Sequence, residues 1–486
     1  MYLTCVAILL TACCASAFAD EPKPDLVLTG VITHAAHQTY REVPFQVPTG
    51  VTRLTVQFSY SGREQHTTID LGIFDQERFR GWSGGNKATF TISDSDATPS
   101  YLPGPIRPGT WKLILGIPNI RPGARSEFQA NVYFSHAPTA IPVNTESGWY
   151  RGDLHMHTGH SDGSCNNQSG RPVPCPVFKT AEAAVNRGLD FIAITDHNTT
   201  SHYDAIRELQ PFFDHLLFIS GREVTTFEGH ANVYGTTQFI DFRLSSPHVP
   251  TLKSLLDRVQ ALHALISINH PGDPSGEACM GCGWTVPATD FGRIQAIEAV
   301  NGGDADKQIS GIPFWQAQLN KGFRITAIGG SDNHHADVTD SRSSIGSPTT
   351  VIYAANLSEA AILDGIRSGR VFIDVEGTKT RFLDFSATVS STTVNMGDPL
   401  NAPKGSIVKF SVHTLAAIGS SLELVEDGIP SPLLSDLSIK HDDDTKTFEF
   451  NSDGSRHWLR ANVRSSTGSL LLVGNPIYIN FPPAVK

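Results

Sequence analysis

No lysine- or arginine-rich stripe occurs anywhere in the 486 residues, which carry 37 Lys and Arg against 48 Asp and Glu for a formal net charge of -11. That balance offers no electrostatic footprint for a polyphosphate backbone, so nucleic acid is excluded as a stable partner. Low-complexity tracts and long charge runs are also missing, and 40% hydrophobic with 17% charged residues is an ordinary globular composition. Beyond the N-terminal residues no apolar run is long enough to span a bilayer. The opening segment MYLTCVAILLTACCASAFA lacks any charged side chain, and Asp20, Glu21 and Lys23 follow at once. Its short apolar stretch and the Ala17-Phe18-Ala19 triplet predict an export signal over residues 1–19, cleaved after Ala19. Leu10-Thr11-Ala12-Cys13 gives a second reading, lipidation of Cys13 and membrane attachment, and an uncleaved anchor is a third. Either cleavage places the mature chain in the periplasm or outside the cell.

Cysteine is scarce too. Of seven, removal of the signal leaves Cys165, Cys175, Cys279 and Cys282. An even number in an oxidising compartment predicts two disulfides, formed within the pairs nearest in sequence. The rival is a zinc site of all four sulfurs, but only Cys279 and Cys282 have the C-x-x-C spacing such a site uses.

What is present is enough chain for about two or three domains. Residues 25–140 alternate apolar and polar positions in short runs, RLTVQFS at 53–59 and TWKLILG at 110–116, between Gly, Pro, Asn and Asp turns. Such a pattern predicts a β-sandwich. A linker rich in Pro and small residues follows at 136–148, and the alternating style returns over 383–486 as a second, smaller β-sandwich domain. Between them, residues 148–380 alternate buried apolar runs with helical stretches, the mark of an α/β arrangement. Strands are expected at 189–195, 216–220, 264–269, 294–300, 324–329 and 349–353. Helices are expected at 178–187 stopped by Gly188, at 252–263, at 314–320 before Gly322, and at 359–368 capped by Ser358 and stopped by Gly369. Roughly seven strand-helix units fit, and a barrel is their natural closure.

Metal-ligand residue types recur as the chain leaves strand after strand. In Gly152-Asp153-Leu154-His155-Met156-His157-Thr158 the two histidines stand at i and i+2, on one face of an extended segment. Asp162 follows in Ser161-Asp162-Gly163, then Thr195-Asp196-His197-Asn198, Gly221-Arg222-Glu223, Gly229-His230-Ala231-Asn232, Asn269-His270-Pro271-Gly272 and Gly330-Ser331-Asp332-Asn333-His334. One histidine at a strand end is ordinarily a packing residue. Six ends in order, each offering His, Asp or Glu, point to a shared cation site.

In these motifs residues 148–375 resemble the polymerase and histidinol phosphatase (PHP) domain, in the branch that includes carbaryl hydrolase-like metallohydrolases. The resemblance implies a distorted (β/α)7 barrel, flanked here by the N-terminal and C-terminal β-sandwich domains. It implies His155, His157, Glu223 and Asp332 as ligands of a first metal, Glu223 bridging to a second with His230 and His270, and Asp162, His197 and His334 as a third site. Two cations roughly 3.5–4 Å apart share a water and lower its pKa toward neutrality. This His-rich mixture leaves Zn, Mn and Fe open, as two or three divalent ions. The implied function is an exported metal-dependent hydrolase, a phosphoesterase with a metal-bridging hydroxide as nucleophile, acting on a small phosphoester. Carbamate, ester or amide hydrolysis is the alternative, and a non-catalytic surface binding protein the remote one. Glu223, Asp332, His334 and Arg342 are the expected catalytic residues, with Arg342, and less directly Arg222, available to an anionic substrate group. Asp153 and Asp196 either orient ligand rings or satisfy nearby backbone. His160, His202 and His335 are expected in exposed loops, and Glu182 and Glu298 as structural.

Overall fold

The computed structural model describes residues 23–94, 96–136, 142–277, 279–339 and 341–482. The signal at 1–19, its cleavage point and Cys13 lie outside them. Among the described residues no helix is long and apolar enough to cross a membrane. The chain forms two compact units, Met1–Thr139 and Ala140–Lys486.

In the first unit β1 (Leu26–Thr33), β2 (Thr39–Val47), β3 (Arg53–Tyr60), β4 (Thr68–Phe74), β5 (Phe79–Gly84), β6 (Thr89–Ser93), β7 (Gly109–Asn119) and β8 (Arg125–Ser135) build two antiparallel sheets, in the orders β1-β8-β3-β6 and β2-β7-β4-β5. Alternation decides which face is covered. Leu54, Val56 and Phe58 of β3 are buried, while Gln57 and Ser59 face out. The buried faces of both sheets meet in one core, with Val56, Phe90 and Val132 from one and Ile73, Trp111 and Leu113 from the other.

The second unit opens with β9 (Gly148–Asp153) and a small hairpin, β10 (Ser164–Asn166) with β11 (Pro172–Pro174), next to the Cys165–Cys175 disulfide. There follow α1 (Val177–Arg187), β12 (Phe191–Ile194), α2 (His202–Leu209), β13 (Leu217–Thr225), β14 (His230–Tyr234), α3 (Leu252–Ala261), β15 (Leu265–Ile268), β16 (Ala296–Asn301), α4 (Ile312–Asn320), β17 (Thr326–Gly330), β18 (Thr349–Ala354), α5 (Glu359–Ser368) and β19 (Val371–Asp374). The expected stops and caps act locally. Gly188 and Gly369 take left-handed conformations that end α1 and α5, and the Ser358 side chain accepts from the Ala361 N–H. Strands β12 and β15 are buried at every residue, which is why they read as unbroken apolar runs.

The sheet runs β17-β16-β15-β14-β13-β12-β9-β18-β19 and continues into C-terminal strands. This departs from the strand-helix alternation of the expected distorted (β/α)7 barrel. β9, β12 and β13 are parallel neighbours, as are β15, β16 and β17, but β14 is antiparallel to both β13 and β15, and β18 is antiparallel to β9. The cause of the β14 reversal is short chain. Only residues 226–229 separate β13 from β14, whereas a parallel crossover takes about a dozen residues or more. Five α-helices among the described residues are also too few for one per strand. The segment after β9 meets the segment after β17 at the parallel bridge Met156–Asn333.

Beyond β19 lie β20 (Phe382–Val389), β21 (Thr392–Asn395), β22 (Pro399–Leu400), β23 (Ile407–Leu415), β24 (Ser421–Glu426), β25 (Ile429–Pro430), β26 (Asp443–Asn451), β27 (His457–Arg464), β28 (Leu470–Gly474) and β29 (Ile477–Ile479). β28 pairs with β19, Phe372 opposite Gly474, so the large sheet passes without a break into this region. A second sheet, β21-β20-β23-β26, packs through Phe385, Phe410 and Phe448 against Leu424, Ala461 and Leu472 of the first.

Candidate metal centre

Most ligand side chains stand where a strand has just ended, while Glu223 lies near the end of β13 and His230 opens β14. After β9 the chain stays extended, and His155 and His157 alternate with the fully buried Leu154 and Met156. Two backbone hydrogen bonds, Asp332 N–H to His155 O at 2.8 Å and His157 N–H to Asn333 O at 2.8 Å, tie this segment to the end of β17. Asp332 and His270 have φ values of +52° and +26°. Such backbone costs about 1–3 kcal/mol per residue and persists where its surroundings impose it. Gly330, two residues before Asp332, admits a close approach, since a Cβ there would collide with His155 Cβ and Glu298 Oε1.

Glu223, 1% exposed, is the hub. Its Oε1 lies 3.3 Å from His230 Nδ1, 3.5 Å from His270 Nε2 and 3.6 Å from His155 Nε2, and its Oε2 lies 2.8 Å from His197 Nδ1 and 3.6 Å from His157 Nε2. Asp332 Oδ1 lies 3.1 Å from His157 Nε2 and 3.3 Å from His155 Nε2. Farther out, Asp162 stands 3.4 Å from His334 Nε2, 3.7 Å from His197 Nε2 and 3.9 Å from His157 Nδ1. The structure thus brings together all nine sequence-selected residues. Within three of the sets, His155 with Glu223 and His270, His155 with His157 and Asp332, and His157 with Asp162, His197 and His334, the donor atoms lie within 4.8 Å of one another. His157 therefore stands between the inner and outer groups, where the resemblance placed it in the first alone.

The hydrogen bonds on the far side of each ring fix which nitrogen is free. His155 Nδ1 donates to Glu298 Oε1 at 3.0 Å, His270 Nδ1 to Cys282 O at 2.8 Å, His334 Nδ1 to Asp332 O at 2.8 Å, and His230 Nε2 to Met280 O at 3.3 Å. A neutral imidazole held this way presents a lone pair at its other nitrogen. In all four rings that nitrogen faces a carboxylate oxygen, and two acceptors facing each other need a proton or a cation between them. His155 Nε2 and Glu223 Oε2 are buried with no hydrogen-bond partner. Without a cation, protons must serve. Burial pulls His270 and His334 down, yet Glu223 and Asp332 around the first, and Asp162 and Asp332 around the second, push both up to about 9. Burial works against ionised Glu223 and Asp332, and the neighbouring histidines, His155 first, hold both well below the usual carboxylate range. Ionised carboxylates beside rings whose protons a cation would displace are the donor set of a divalent-metal site.

Asp153 and Asp196 act on backbone and loop. Asp153 accepts from Ser331 N–H at 3.0 Å and Gly346 N–H at 2.8 Å, while Asp196 accepts from Thr158 N–H at 2.7 Å and Ser161 Oγ at 2.6 Å. His335 is exposed and His160 half-buried. His202 departs from expectation. It is wholly buried in α2, its Nε2 donating to Gly221 O at 2.9 Å, because α2 packs where a loop was expected. Arg222 also turns away: strand alternation sends it to the face opposite Glu223, where it donates to Gln238 O at 2.6 Å. Arg342 is exposed and lies over Gly303, two residues beyond Asn301.

Sequence reasoning missed three residues. Glu298, on β16, accepts from His155 Nδ1 and from His270 N–H at 2.9 Å. Asn269 Nδ2 donates to Glu223 Oε1 at 2.9 Å, and Asn301 Nδ2 donates to Glu298 Oε2 at 3.0 Å and Asp332 Oδ2 at 3.3 Å. A carboxylate in the middle of the otherwise apolar run Ala296–Val300 was the available signal for Glu298. Replacing Glu298 with Gln is expected to leave the fold intact and weaken metal affinity by about 10–100-fold, the usual cost of losing a carboxylate behind a ligand histidine. Competition with a fluorescent chelator measures this, and an unchanged affinity would remove Glu298 from the site.

No protein-family model and no curated protein matches the chain. Among solved structures, a two-domain protein from Bacteroides vulgatus containing a predicted PHP-like metal-dependent phosphoesterase is 18% identical, with a TM-score of 0.39 over 70% of this chain and 97% of that one. A protein from Bifidobacterium adolescentis, provisionally described as a metal-dependent phosphoesterase, is 15% identical with a TM-score of 0.29, covering 44% of this chain and 94% of that one. Overlaps this loose transfer no function, so the geometry of the centre has to carry it.

Proposed function

We propose that the chain is an exported metal-dependent phosphoesterase whose cations are held by His155, His157, Asp162, His197, Glu223, His230, His270, Asp332 and His334. The observation that carries this reading is the set of opposed acceptors around Glu223, with His155 Nε2 and Glu223 Oε2 buried among close donor atoms yet making no aligned hydrogen bond. We take the seven ligand-bearing strands within 148–380 as a distorted PHP-type barrel, and 25–140 and 383–486 as appended β domains without assigned activity. The Cys165–Cys175 and Cys279–Cys282 disulfides favour an oxidising compartment.

Bound divalent ions, Zn, Mn or Fe, would supply Lewis acidity and a water acidic enough to react near neutral pH. The chain's residues do the rest. Glu223 is the carboxylate shared by the inner ligand groups, and Asp332 joins His155 to His157. His334, partly exposed and held through Nδ1 by Asp332 O, would present Nε2 to the outer cation beside Asp162. Phosphate is favoured over a neutral ester by the grading of burial. Side chains of the inner ligands His155 and Glu223 are sealed, whereas Asp162, 57% exposed, and His334, 31% exposed, open the outer group to solvent. An outer group open to solvent suits a substrate that stays anionic, and we assign Arg342 as the cation that meets it.

The test sets aryl phosphate mono- and diesters beside aryl carbamates and carboxylic esters, with Zn or Mn. Phosphoester turnover inhibited by inorganic phosphate and reduced in Arg342→Ala is expected. Turnover of the neutral esters alone, indifferent to both, would overturn the phosphoesterase reading and leave a carbamate or ester hydrolase.

A further inference from the structure

The loop closed by Cys279–Cys282 is joined to the metal centre more directly than as a brace. Its Met280 carbonyl accepts from His230 Nε2 at 3.3 Å and its Cys282 carbonyl from His270 Nδ1 at 2.8 Å. The two rings that reach Glu223 Oε1 from this side therefore take their orientation from the cross-linked loop. A second observation concerns the sulfur itself. One nitrogen of His230, one nitrogen of His270 and Cys282 Sγ lie within 4.8 Å of one another. Imidazole and thiolate make a donor set suited to Zn and its relatives, but a sulfur in a disulfide carries no charge to offer. Both cysteines are half-buried, and Met280 between them is 54% exposed, so a reductant can reach the bond.

We propose that opening the Cys279–Cys282 disulfide converts His230, His270 and Cys282 into a thiolate-containing metal site, making the ligation of the centre depend on the thiol state of this loop. The reductant is a dithiol. It gives up two electrons and two protons and becomes a disulfide, the Cys279–Cys282 S–S bond breaks, and two thiols form. The Cys282 proton then passes to solvent as the sulfur binds the cation. Once bound to sulfur, the cation or the two rings leave their oxidised arrangement about Glu223. The inference rests on the metal reading of the centre and adds a ligand to it.

Cobalt substitution of the full-length protein separates the two ideas. Oxidised protein loaded with Co(II) should show bound cobalt by elemental analysis and no sulfur-to-cobalt charge-transfer band. Treatment with dithiol followed by desalting should produce that near-ultraviolet band together with two additional free thiols per chain, mapping to Cys279 and Cys282. Cys279→Ser should show the band without reduction, and Cys282→Ser should never show it. A cobalt-loaded protein whose thiols appear without the band, a band that survives Cys282→Ser, or a disulfide that resists dithiol in the native protein would each overturn the proposal while leaving the metal centre standing. Failure of the oxidised protein to bind cobalt or any other divalent ion would overturn both.

Discussion

Glu223→Ala is expected to leave the protein with at least two fewer bound cations per chain and to lower kcat/KM by roughly a thousandfold. The magnitude follows from the several kcal/mol that bound cations contribute to stabilising a transition state, at about 1.4 kcal/mol per tenfold in rate. Five histidines, His155, His157, His197, His230 and His270, lie within 3.6 Å of its two oxygens. With the carboxylate gone, those rings face one another across a buried space. Their positive charge or their protons must leave, and cations find too few anionic donors to replace them. Misfolding could imitate this loss. Glu223→Gln keeps the volume and an acceptor for Asn269 Nδ2, so it should retain the near-ultraviolet circular dichroism of the parent while still losing metal. Elemental analysis showing full metal content in either variant, or activity within threefold of the parent, would remove Glu223 from the hub.

How much of this site was legible in the sequence depended on how local each signal was. Most of the nine donors could be found because they stand near strand ends, several of them flanked by Gly, Asn, Asp or Ser where the apolar run breaks, and His155 and His157 because they share one face at i and i+2. The helix stops at Gly188 and Gly369 and the Ser358 cap were legible for the same reason, as one residue decides each. Pairing direction was not. Alternation within His230–Tyr234 gives no sign that β14 runs antiparallel to both neighbours, although the short 226–229 connection already forbade a parallel crossover. The carboxylate of Glu298 stood out in an apolar run, but its role was not legible because it is defined by a ring 143 positions away in the chain. His202 shows the opposite failure. Its neighbours Thr199, Thr200 and Ser201 read as a polar loop, but the chain turns into α2 and buries the ring against Gly221. The part played by Met280 and Cys282 was illegible in principle, since it belongs to backbone carbonyls and not to side chains.

Asp162→Asn is expected to cost about a hundredfold in phosphoester kcat/KM, within the range found when one preorganised polar contact to a developing charge is lost, while the inner cations stay bound. The asymmetry follows from position. Asp162 touches neither Glu223 nor Asp332; its contacts are His334, His197 and the outer nitrogen of His157. The hydrogen bond and charge of His334 hold its carboxyl below the usual carboxylate range against the opposing effect of burial, so it is ionised at any assay pH near neutrality and asparagine removes a full charge. Because the side chain is more than half exposed, solvent screening should keep the change in folding stability to about 1 kcal/mol or less, the range of an exposed ion pair. Activity and stability should therefore separate cleanly. The outer group would keep His157, His197 and His334 but lose its only anionic donor, and with it the cation best placed to meet a phosphoryl oxygen. A phosphate monoester, with more charge to neutralise, should suffer more than a diester. Elemental analysis should show the variant one cation short of the parent, or equal to it if the outer group fills only with substrate. A variant that loses every cation would show that the inner and outer groups bind as one unit. One that hydrolyses phosphoesters at the parental rate would show that chemistry needs the inner group alone, and the preference for phosphate would then have to be sought at Arg342.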